Sequence, residues 1–155
     1  MLHRSTARPS ADRETNILIV DAQTVYRSGL RDVIKARIQR TSVHDAPSLN
    51  ELGAARYFDL ILIDAESLTE HALARLKQVR DSRPNTRVAV TSVSNTRADV
   101  FDYLAAGFHG YIYKLQSDED LLMAINDLLS GRIFVPRWLV DHGIPTPEVP
   151  TTPNV

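Results

Sequence analysis

Short, unbroken aliphatic runs alternate along this chain with stretches in which apolar residues return every three or four positions. NILIV (16–20), DLILI (59–63) and RVAV (87–90) have the pattern of strands buried on both faces. GYIY (110–113) mixes aromatic and β-branched residues and predicts a fourth strand; TSVHDA (41–46) is a weaker fifth, expected at a sheet edge. Tyr26, Leu30, Val33, Ile34 and Ile38 make one helical stripe, and Leu68, Ala72, Leu76 and Val79 a second. Phe101, Leu104 and Ala105 give a third stripe, Leu121, Ile125 and Leu128 a fourth, and a helix over about 49–57 fills the remaining gap. The order is βα repeated five times, without an internal sequence repeat. It predicts an α/β fold: a five-stranded, parallel, doubly wound sheet with helices on both faces and right-handed crossovers.

A length of 155 residues matches one domain. Hydrophobic residues at 43% and charged residues at 24% are those of an ordinary globular chain rather than a disordered one. Lys and Arg number 18 against 19 Asp and Glu, so the net charge of −1 provides no field to hold nucleic acid or an anionic membrane. The absence of cysteine excludes disulfides, thiolate zinc sites, iron–sulfur clusters and a cysteine nucleophile. No apolar run approaches the roughly 20 residues needed to span a bilayer, and the N-terminus lacks the apolar core of a secretory signal. The expected location is the cytoplasm. Residues 1–15 read as a disordered leader and 16–136 as the domain, with 137–155 a C-terminal extension. Residues 143–155 carry four of the eight prolines and read as a stiff linker, as though a further module belonged beyond it.

In a sheet of this kind, function collects at the carboxyl ends of the strands, where strand order reverses. The aliphatic runs end in Asp21-Ala22-Gln23, Asp64, Thr91-Ser92 and Lys114. A single aspartate there is ordinarily a helix cap. Two acids, a hydroxyl and an ammonium at successive strand ends instead predict one shared site.

These residues carry a resemblance. NILIVDAQ, DLILID, VAVTSVSN and GFHGYIYK, followed by DEDLLMAINDLLSGRIFVP, resemble the receiver domain of a NarL/LuxR-type two-component response regulator over about 120 residues, 16 to about 136. The resemblance implies a flavodoxin-like receiver sandwich, not an enzyme with an external product. It implies an aspartate, here Asp64, that takes a phosphoryl group from a histidine kinase beside bound Mg²⁺. Ser92 would meet the phosphoryl oxygens, Lys114 would pair with them, and Tyr111 would be the switch aromatic. Such a domain would form a homodimer and control a helix-turn-helix module, the only route to DNA for this chain.

The pocket departs from that pattern. The family's second acid after the first strand, a direct Mg²⁺ ligand, is Ala22 here, and a methyl group cannot ligate the ion. Asp21 and Asp64 remain as metal-site candidates, with Glu66 either replacing the lost ligand or repelling an incoming phosphoryl group. The loop after Asp64 has Leu68 in the usual proline position and no glycine. The expectation is an atypical receiver, with Mg²⁺-dependent phosphorylation of Asp64 weak or lost and Lys114 holding Asp21 and Asp64 by salt bridge. The alternatives are a fully phosphorylatable receiver using Glu66, or a flavodoxin-like cofactor binder, for which DAQTVYRSG is a poor phosphate loop. An aspartyl-phosphate phosphatase would want an aspartate where Glu66 stands, and the five histidines lack metal-ligand spacing. For partner contact the candidates are Leu122 and Leu129, the face around Tyr111 and Tyr113, and Trp138, with core packing as the alternative.

Overall fold

The computed structural model describes residues 13–51 and 57–141. Five strands, β1 (Thr15–Val20), β2 (Thr41–Ala46), β3 (Leu60–Asp64), β4 (Arg87–Ser92) and β5 (Gly110–Tyr113), form one parallel sheet in the order β2-β1-β3-β4-β5. Chain order reverses direction between β1 and β3, so a crevice opens beyond their carboxyl ends. The weakest run, TSVHDA, is an edge strand as expected.

Side chains on a strand alternate between faces, and the sheet therefore carries two cores. Ile17, Ile19, Leu60, Leu62 and Ile112 pack on one side against Leu30 and Ile34 of α1 (Thr24–Arg37) and Leu121, Ile125 and Leu128 of α4 (Asp118–Leu129). Leu18, Val20, Ile61, Ile63, Val88, Val90 and Tyr111 pack on the other, against Ala72 and Leu76 of α2 (Glu70–Ser82) and Val100 of α3 (Arg97–Ala105). Each such side chain contributes roughly 1.5–3 kcal/mol by leaving water. Thr69, Thr96 and Ser117 cap α2, α3 and α4 by accepting from Ala72, Asp99 and Asp120 N–H, and three acids in the first turn of α4 favour its dipole.

Several local expectations change. Of the helix expected over 49–57, a three-residue 3₁₀ turn (Leu49–Glu51) is present, while 52–56 lie outside the described residues. Leu68 precedes α2, which starts at Glu70. On α3 the buried residue is Val100, while Phe101 and Ala105 are exposed; the Arg97 guanidinium lies over the Phe101 ring. The stripe is rotated because Tyr103 and Leu104 join Val100 against the sheet. Leu122 is buried and Leu129 packs on the core, so neither is free for a partner.

The described residues reach past both ends of the expected 16–136 domain. Thr15 already pairs with Thr41, and Arg13 reaches Asp59 at 2.8 Å; residues 1–12 and 142–155, with the proline-rich stretch, lie outside the described residues. Gly131, at φ +87°, ends α4 in the left-handed conformation that glycine tolerates. The chain then crosses to β5, where Phe134 N–H donates to His109 O and Phe134 O accepts from Tyr111 N–H, both at 3.0 Å. A Cβ on Gly110 would lie 3.1 Å from Phe134 O, so glycine permits this approach. Helix α5 (Arg137–Asp141) follows, with Trp138 and Leu139 packed on the cluster that contains Tyr111. Trp138 thus packs back on its own domain.

Candidate functional site

β1, β3, β4 and β5 deliver Asp21, Asp64, Ser92 and Lys114 to one rim, each at or just beyond the last residue of its strand. Lys114 Nζ donates to Asp21 Oδ2 at 2.6 Å and lies 2.8 Å from Asp64 Oδ1. All three side chains are withdrawn from water: 5% exposed for Lys114, 0% for Asp21 and 9% for Asp64. Charge-assisted contacts this short in so dry a place are strong and directional.

Asp21 is tied down on every side. Its backbone N–H donates to Ala46 O, its Oδ1 accepts from Gln23 N–H at 2.8 Å, and its carbonyl accepts from Arg27 Nη1 at 2.6 Å. Arg27 and Arg31 also grip Asp45 on the edge strand, each at 3.0 Å. The Tyr26 ring, from the first turn of α1, has its centroid 4.4 Å from Lys114 Nζ. Burial works against the Lys114 charge, but the hydrogen bonds to Asp21 and Asp64, reinforced by the charges of both acids, outweigh it and raise the lysine pKa. Burial, then the charges of Asp21 and Asp64, push the Tyr26 phenol well above the usual tyrosine value.

Ser92 sits beside this cluster, with its hydroxyl turned into the following loop. Ser92 Oγ accepts from Ser94 N–H at 3.1 Å, and its carbonyl accepts from Lys114 N–H at 2.8 Å. Ser94 Oγ donates to Asp99 at 2.6 Å; hydrogen bonds from Ser94 and Thr96 hold the Asp99 pKa below the usual aspartate value. Tyr111 is fully buried and its hydroxyl donates to Ser94 O at 2.6 Å, while Tyr103 lies tilted over its ring. The expected contact face around Tyr111 is thereby reduced to Tyr113, which is half-buried.

Glu66 lies in a 3₁₀ turn (Ala65–Ser67) directly after Asp64, with its side chain exposed to solvent. The donors available to Mg²⁺ are therefore two carboxylates, each already engaged by Lys114, with the exposed methyl group of Ala22 at the third position. Among the described residues no group of three or more His, Asp or Glu side chains could hold a metal ion. Mg²⁺ is commonly held by one or two carboxylates with water completing its octahedron, but Lys114 occupies both acids here, and so engaged they do not fit the ion. What the arrangement does instead is neutralise an acid pair with an internal ammonium. The sequence reading missed Tyr26, which hydrophobic spacing assigns to the core, and the Arg27–Asp45 bridge; the only available signal was that both lie within six residues of Asp21 or at the end of β2.

Among the described residues, no helix is long and apolar enough to cross a membrane. The sequence profile of the family described as response regulator receiver domain matches residues 17–126. The nitrate/nitrite response regulator protein NarL of Escherichia coli is 31% identical over 133 residues, covering 84% of this chain and 62% of that protein. The oxygen regulatory protein NreC of Staphylococcus aureus is 31% identical over 127 residues, covering 77% and 57%. The chain thus spans about six-tenths of the length of the curated relatives it matches. A solved LuxR family DNA-binding response regulator from Silicibacter pomeroyi superimposes with a TM-score of 0.67 at 30% identity, over 80% of this chain and 98% of that one.

Proposed function

Because this chain belongs to the response regulator receiver family, with relatives of the NarL/LuxR type, we propose that it is the signal-receiving domain of a two-component transcriptional regulator whose pocket is held by Lys114 in place of a divalent cation. The observation that carries this reading is the Lys114 ammonium bonded to both Asp21 and Asp64. In this reading Asp64 is the phosphoacceptor position, Ser92 and Lys114 the phosphoryl-contacting groups, and Tyr111 the switch aromatic.

Phosphoryl transfer to a carboxylate depends on positioned positive charge, because the protein does little covalent work itself. Lys114 supplies one such charge, but it spends it on the resident acids. An incoming phosphoryl group would have to take Lys114 from Asp21 and turn the Ser92 hydroxyl out of its bond with Ser94. Without the carboxylate missing at Ala22, no second cation is drawn in to help. Mg²⁺-dependent phosphorylation of Asp64 is therefore weak or absent, and the domain acts chiefly through its assembled fold.

The output side follows from the family. The domain works in the cytoplasm as a homodimer and has no catalysis of its own. Input comes from a histidine kinase if Asp64 is used at all. Output passes through residues 137–155, an extension ending in the proline-rich linker, to a helix-turn-helix module that contacts DNA.

The test is incubation with acetyl phosphate and millimolar Mg²⁺, read by intact mass. The expected result is no accumulated phosphorylated protein in the wild type, with a rise of at least about tenfold in Ala22→Asp, since each unit charge beside the ion is worth several kcal/mol. Ready phosphorylation of the wild type, abolished in Asp64→Asn, would refute the proposal.

A further inference from the structure

The Lys114 ammonium has three protons to place, and the two carboxylates account for two of its neighbours. A third close neighbour is the ring of Tyr26, well inside the roughly 6 Å reach of a cation–π contact. Such contacts gain strength when the cation is dry, as this one is. From α1, Tyr26 bears on the pocket beside the Arg27 guanidinium that holds the Asp21 carbonyl, and it is half-buried against the core cluster on that side of the sheet. Beside it runs a groove of about 330 Å³, lined by Val25, Gly29, Val33, Tyr113 and Gln116. A Cβ placed on Gly29 meets nothing within 4 Å, so the helix surface there is open.

We infer that Tyr26 decides which cation serves the Asp21–Asp64 pair: its ring holds the Lys114 ammonium between the two carboxylates and covers the approach by which a divalent ion would replace it. Tyr26 is thus a positioning residue, acting on the acids through Lys114. This deepens the proposed function and rests on it, because it presumes that Asp21 and Asp64 form the receiver's pocket. The ring does the work, and the hydroxyl is dispensable.

Mn²⁺ is a suitable probe for the full chain, because its paramagnetism broadens nearby amide signals in NMR spectra. In the wild type and in Tyr26→Phe, the Asp21, Asp64 and Lys114 amides should broaden only at the same high Mn²⁺ concentration. The Lys114 ε-methylene protons should keep an upfield ring-current shift in both. In Tyr26→Leu that shift should vanish, and half-broadening should need on the order of tenfold less Mn²⁺, the weight of a desolvated cation–π contact. Lys114→Met, which removes the ammonium outright, should also admit Mn²⁺ and serves to separate the two claims. If Lys114→Met admits the ion while Tyr26→Leu behaves as wild type, the role of Tyr26 is overturned and the pocket reading stands. If neither variant admits it, the role of Tyr26 is overturned, while the pocket reading, in which Ala22 already denies the ion a ligand, stands on its own acetyl phosphate test. Equal changes in Tyr26→Phe and Tyr26→Leu would overturn the role of the ring.

Discussion

Replacing Lys114 by Met removes a charge and keeps an unbranched side chain of similar reach. It leaves Asp21, with no exposed side-chain surface, and Asp64, 9% exposed, facing each other without a counter-charge. At 2.6 and 2.8 Å each ion pair is worth about 6 kcal/mol at an effective dielectric of about 20, before desolvation of the ammonium is set against it. Removing one partner of a buried pair leaves the others uncompensated and costs about 3–5 kcal/mol. For a domain of this size that lowers the melting temperature by roughly 10 °C or more. Urea titration followed by the fluorescence of Trp138, the single tryptophan, measures it directly. In the wild type the lysine pKa is raised, so its contribution is fully present below the ordinary value of 10.5 and is withdrawn only as pH rises through the folded value. A loss under about 1 kcal/mol at pH 7, the size of an exposed pair, would refute the assignment of Lys114 as the pocket's structural cation.

Other outcomes follow from neighbouring contacts. His109 Nδ1 accepts from Val88 N–H at 3.0 Å, and burial, then the charges of Arg87 and Arg80, lower its pKa below 6.5. The unfolded chain therefore binds the proton first, and stability present above about pH 6.5 is lost as pH falls through the folded value. His109→Asn, which keeps an acceptor and cannot be protonated, should flatten the decline in denaturation free energy between pH 7 and 5. Gly110→Ala would place a methyl 2.9 Å from Leu128 Cδ2 and 3.1 Å from Phe134 O. It should cost about 1–3 kcal/mol as overpacking and shift Trp138 emission to the red as the crossing segment lifts. Thr86→Val removes the buried hydroxyl that donates to Phe58 O at 2.7 Å, and should cost about 1–3 kcal/mol in the same urea assay because the carbonyl is left unsatisfied.

The order of strands and helices was legible because unbroken aliphatic runs alternate with stretches of 3.6-residue period, and the parallel sheet follows from that alternation. Asp21, Asp64 and Lys114 were legible for a related reason: a parallel sheet sends every strand end to the same rim. Tyr26 was not, because an aromatic at a core-compatible helical position carries no mark of the cation it covers. Neither was the rotation of α3, where Val100 and Phe101 both satisfy a short amphipathic pattern and tertiary packing chooses between them. Tyr111 could be read only as buried or switching; its hydrogen bond to Ser94 depends on a loop conformation that spacing does not encode.

Phe134 covers the start of the outer margin of β5 with two backbone hydrogen bonds, while among the described residues no strand pairs with the outer side of β2. An unclosed strand margin invites pairing between molecules and, with it, precipitation. A shortened version stopping at the last turn of α4 would uncover the start of β5 as well, together with the apolar seat of Trp138. The smallest well-behaved piece should therefore keep the chain through Leu139.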